Sequence, residues 1–72
     1  MKQLTHRQYD MIEGAITHGR RLSIYRRGTE YVVIPKRLRV DGSREAIDSI
    51  HPTTGEEITL FLDELELFEV VG

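Results

Sequence analysis

Seven basic residues crowd between positions 20 and 39: Arg20, Arg21, Arg26, Arg27, Lys36, Arg37 and Arg39. A guanidinium is a planar fork that donates two hydrogen bonds at once, which suits phosphate and carboxylate oxygens. Tyr25 and Tyr31 lie among these residues and offer ring faces on which bases stack, the combination that single-stranded nucleic acid sites use. Period-two geometry sends Arg37 and Arg39 to one face of a strand, away from Leu38 and Val40. The competing reading is structural: charged side chains keep strand edges soluble and prevent association of sheets. The net charge is −2, which is not the basic footprint of a dedicated nucleic acid binder. Phosphate-backbone binding therefore stands as the alternative reading.

Other chemistry finds little footing. Ser23 and Ser43 have no base and orienting group in sequence context, which nucleophilic catalysis requires. Glu56-Glu57 and Asp63-Glu64 would serve as acid and base only in a cleft that raises one pKa, and they read as solvated turn and edge charges. His6 and His18 stand twelve residues apart on one expected helix, and His51 precedes a proline. No pair has metal-ligand spacing, and there is no cysteine to help. The chain reads as no enzyme, with no cofactor and no metal.

A second candidate surface lies near the end of the chain. Leu67, Phe68, Val70 and Val71 form an apolar run that serves either as core or as an edge strand open to a second chain. A protein of 72 residues often completes its core by dimerising or by docking to a larger partner. The favoured partner is accordingly another protein, or the chain itself.

These residues need elements to hold them. Thr5 and Gln8 match the capping box that starts a helix, with Leu4 and Tyr9 placed as a hydrophobic staple. Tyr9, Ile12 and Ile16, flanked by Met11 and Ala15, make one apolar stripe, and Gly19 is the expected left-handed stop. The period then changes to two. Leu22 and Ile24 alternate up to a turn at Arg26-Arg27-Gly28-Thr29. Tyr31 to Ile34 is a β-branched run closed by Pro35, and Leu38 and Val40 precede a hairpin signal at Asp41-Gly42. Ala46, Ile47 and Ile50 make a weaker strand ended by His51-Pro52-Thr53-Thr54-Gly55. Ile58, Leu60 and Leu62 alternate, Asp63-Glu64-Leu65 turns, and Leu67 to Val71 closes the chain. The pattern predicts a mainly β unit with one N-terminal helix: a five-stranded antiparallel barrel of Sm/SH3-like type, or a bent sheet.

Composition agrees. The residues are 39% hydrophobic and 31% charged, normal for a folded chain. The length allows one domain over 1–72, helix at about 5–18 and β unit at about 20–71. The N-terminus has no signal-peptide core, no window spans a membrane, and the absence of cysteine fits the cytoplasm. Charge is divided unevenly: residues 1–40 carry nine cations against three acids, and residues 41–72 one cation against nine. The halves either attract each other across one sheet or form separate faces that steer a charged partner.

From Ala15 onward the order of features resembles the WYL domain, a small Sm/SH3-like β-barrel of bacterial regulators. Ala15-Ile16 through Arg20-Arg21-Leu22-Ser23-Ile24-Tyr25 is similar to its opening helix end, basic residue and strand finishing in tyrosine. Val33-Ile34-Pro35-Lys36-Arg37-Leu38 resembles its second strand, Asp41-Gly42 its glycine turn, and Phe61-Leu62-Asp63-Glu64-Leu65 its closing turn. The Trp-Tyr-Leu signature is missing near Ser43-Arg44-Glu45-Ala46. Glu57-Ile58-Thr59 and Glu64 replace the arginines that the family uses for ligands. The resemblance implies the fold and a small regulatory or binding module; it does not transfer ligand sensing.

Overall fold

The helix forms where its cap is written. In the computed structural model, which describes residues 4–72 except the side chain of Leu67, α1 runs His6–His18. Thr5 Oγ1 accepts the Gln8 N–H at 3.1 Å, and Gln8 Oε1 accepts the Thr5 N–H at 2.9 Å. Gly19 ends the helix at φ +64°, a conformation that a residue without Cβ adopts freely. Ile12 and Ala15 are fully buried beneath it, Leu4 joins them, and Tyr9, Met11 and Ile16 pack at the margin.

Five strands follow: β1 Leu22–Arg26, β2 Thr29–Asp41, β3 Arg44–Ile50, β4 Glu57–Phe61 and β5 Leu67–Val70. A 3₁₀ turn at Leu62–Glu64 separates the last two. Every pairing is antiparallel, in the order β4-β3-β2-β1-β5. The sheet is therefore open, with β4 and β5 as its edges. Of the two expected architectures the bent sheet is realised and the closed barrel is not. The chain leaves β4, turns through Leu62–Glu64 and pairs β5 with β1 instead of with β4.

The two short β runs expected on either side of Pro35 are one strand. β2 is thirteen residues long, and Pro35 lies in its middle. Up to Val33 it pairs with β1; from Ile34 it pairs with β3, and its register slips between Pro35 and Arg37. Proline is tolerated here because a bulge needs no ladder donor at that point. Lys36 is the extra residue, and it reverses the parity of the strand. Tyr31, Val33 and Pro35 share the inner face before it, whereas Leu38 takes that face after it, level with Ile47.

Leu22, Ile24, Val33, Ile47 and Leu60 are wholly buried, and Leu62, Leu65 and Phe68 complete the core beside α1. Two tight loops join the first three strands. Arg27 and Gly28 both take positive φ, 53° and 75°, between Arg26 and Thr29, as a type I′ hairpin requires. Gly42-Ser43 joins β2 to β3, one position beyond the expected turn. No helix among the described residues is long and apolar enough to cross a membrane.

Two outcomes check this account. Deletion of Lys36 is expected to leave unfolding by urea cooperative, because Pro35–Ser49 and Arg37–Asp48 then follow as regular pairs and every side chain from Arg37 to Asp41 keeps its face. Ile47→Ala, in the centre of the core, is expected to cost about 2–5 kcal/mol in the same assay.

Candidate functional site

The bulge sets the faces, and the faces set the charges. After Lys36, Arg37 and Arg39 point outward from β2, and Asp48 lies across from Arg37 on β3. Asp48 Oδ2 accepts from Arg39 Nε at 2.7 Å and from Arg37 Nε and Nη2 at 3.3 and 3.2 Å. Its Oδ1 accepts the Thr59 hydroxyl at 3.2 Å. Arg39 also stands 3.6 Å from Asp41. The Arg39 guanidinium, helped by Arg37, holds the Asp48 carboxyl below the usual carboxylate range, and Asp48 in turn raises Arg39.

A second cluster occupies the far end of the sheet. Arg44, first residue of β3, forks onto Asp63 with Nε at 3.0 Å and Nη2 at 2.8 Å, and Nη2 reaches Glu64 at 3.1 Å. Its guanidinium lies 3.9 Å from the centre of the Phe61 ring, close enough for cation–π attraction. Arg26 approaches Glu64 at 3.6 Å and covers Tyr31 at 5.1 Å. The 3₁₀ turn is thereby tied to both β1 and β3 across the gap that hydrogen bonds leave open. Bidentate bonding to Arg44 lowers the Asp63 carboxyl and raises Arg44.

The nine residues expected for nucleic acid thus fall into groups. Lys36, Arg37 and Arg39 stand together at the bulge. Arg20 and Arg21 precede β1 at the end where β2 goes on to bulge; the Arg21 N–H donates to the Gly72 carbonyl at 3.0 Å. Arg26 and Arg27 lie at the other end of β1, about 13 Å away along a four-residue rise. Tyr25 is half-buried, and Tyr31 packs against the core. Among the described residues no carboxylate lies within 4.0 Å of Arg20, Arg21, Arg27 or Lys36. Arg26, Arg37 and Arg39 pair with acids of the second half, so for these the halves attract across the sheet.

Of the expected edge, Phe68 is buried in the core and Val70 packs at its margin, whereas Val71 is exposed. The Leu67 side chain lies outside the described residues. β5 pairs with β1 from Leu67 opposite Tyr25 to Val70 opposite Leu22. The Val71 N–H donates to the Arg21 carbonyl at 3.0 Å. Alternation then points the backbones of Glu69 and Leu67 toward β1, and those of Phe68 and Val70 toward the open side.

Sequence reasoning did not find the Arg44 cluster. Asp63 and Glu64 read as solvated turn charges, and their partners are nineteen and twenty residues away, beyond any local spacing rule. A further tie is equally remote: the Tyr9 hydroxyl bonds Glu45, which fastens α1 to β3.

No family model matches the chain, and no curated protein matches it. Among solved structures it is similar to proteasome accessory factor B/C (PafBC) of Arthrobacter aurescens. The TM-score is 0.77 at 23% identity, over 100% of this chain and 13% of that one. At this identity the likeness shows the fold, which is WYL-like.

The lowered Asp63 carboxyl has a consequence for acid stability. A group whose folded pKa lies below its unfolded value stabilises the fold above the unfolded pKa and loses that contribution as pH falls through the folded one. The urea midpoint is expected to drop as pH falls below about 4. Arg44→Ala is expected to lower the midpoint at pH 7 and to flatten that acid dependence.

Proposed function

We propose that this chain is a non-catalytic binding or regulatory module that contacts protein, itself included, through the open edge of β5. The observation that carries the reading is the unclosed sheet, which leaves the Phe68 and Val70 backbone groups without a strand neighbour. Such a row of free N–H and C=O groups is a template for strand addition. Glu69 and the short length of the strand limit what pairs there. The likeness in fold to a protein named as an accessory factor supports an accessory role, and a bacterial, cytoplasmic setting belongs to the same proposal.

A second reading has its own observation. Four of the seven basic side chains, Arg20, Arg21, Arg27 and Lys36, have no carboxylate partner among the described residues, so they stand open to phosphate. The two readings differ in salt dependence. Phosphate contact releases counterions and weakens steeply with salt; an apolar strand contact holds or tightens.

Light scattering separates them. A mass above the 8.4 kDa monomer, reduced to the monomer by Val70→Pro with the circular dichroism unchanged, is the expected result. Val70→Pro removes an outward N–H and spares the ladder to β1. A monomer that binds oligonucleotides in a salt-sensitive way, and loses them on Arg21→Glu with Lys36→Glu, would overturn the first reading in favour of the second.

A further inference from the structure

Beside the bulge the outer face of the sheet sinks into a groove of about 440 Å³. Its two sides differ in sign. Lys36, Arg37 and Arg39 line the β2 side, Glu57 lines the β4 side, and Ile50 offers apolar surface on β3 between them. Glu57 faces outward with Ile50, its register partner, and Ile50 in turn lies opposite Ile34.

The central acid of the groove is already engaged. Asp48 is bonded by Arg37, Arg39 and Thr59; one carboxylate fixes two guanidiniums and leaves their outer N–H groups free to donate. Lys36 and Glu57 are different. Among the described residues Lys36 has no carboxylate and Glu57 no cation within 4.0 Å. Neighbouring strands lie about 4.8 Å apart, so β2 and β4 stand about 10 Å apart with β3 between them. Two unmatched charges of opposite sign thus stand on either side of a β3 floor made of Ile50, Ser49 and the engaged Asp48. Clefts that bind small molecules combine an apolar lining with a few placed polar groups in this way.

We infer that this groove binds a small zwitterion with an aliphatic spacer. Its anionic end bonds Lys36 and Arg37, its methylenes lie over Ile50, and its cationic end bonds Glu57. A simple anion satisfies the β2 side and leaves Glu57 unmatched, and a simple amine does the reverse. The site lies at the opposite side of the sheet from β5 and goes beyond the proposed protein contact.

The test titrates the isotope-labelled chain with ε-aminocaproate, caproate and hexylamine, followed by amide chemical shifts. For ε-aminocaproate we expect saturable shifts at Lys36, Asp48 to Ile50 and Glu57 to Thr59, with Kd on the order of 1 mM. Caproate and hexylamine bind about tenfold more weakly. Glu57→Gln brings ε-aminocaproate down to the level of caproate, and Lys36→Ala brings it down to that of hexylamine. Both replaced side chains are exposed and unpaired, and unchanged shifts outside the groove verify the fold of each variant. No saturable shift, equal binding of the three probes, or an advantage that survives both substitutions would overturn the assignment.

Discussion

A single extra residue governs this fold. Lys36, inserted into β2 opposite β3, reverses which side chains of the strand face inward. Were the ladder to run on from Pro35 without this slip, Arg37 would lie inward opposite Ile47 and Arg39 inward opposite Glu45, and burying two guanidiniums without partners is prohibitive. With it the same strand serves two neighbours: its first part lies along β1 and its second along β3. Bulged strands bend, and this bend lets five strands wrap one core beside a helix of thirteen residues.

Electrostatics finish what the hydrogen bonds leave open. β4 and β5 do not pair, and the 3₁₀ turn between them is anchored by side chains. Arg44 binds Asp63 and Glu64, and Arg26 reaches Glu64 from the other half of the sheet. Exposed ion pairs contribute little singly, but bidentate geometry and the Phe61 face give this one a fixed direction. The same pairing limits function. Guanidiniums already committed to carboxylates contribute less positive field, so the side chains that remain open, Lys36 above all, weigh most in any account of binding.

Charge and openness are thereby distributed over three places. The bulge groove holds opposite signs about 10 Å apart, β5 presents backbone, and the start of β1 carries Arg20 and Arg21. A fold shared with a much longer protein, of which this chain matches 13%, is compatible with each of these as a contact surface, because function on small β scaffolds resides in the site and not in the fold.

The sequence by itself determined the local structure. Thr5 and Gln8 wrote the helix start and Gly19 its stop, since caps are made by neighbours in the chain. Arg27-Gly28 wrote a tight turn, and alternation in Leu22–Ile24 and Ile58–Leu62 marked the inward faces. Pro35 misled, because proline signals both a strand end and a bulge, and local sequence does not tell these apart. Only the tertiary structure decided that β2 runs through, that the sheet stays open, and that Arg44 meets Asp63 while Arg37 and Arg39 share Asp48. Those pairings depend on strand order and register. Both are set by how the whole core closes over Ile12, Leu22 and Ile47, and not by any spacing along the chain.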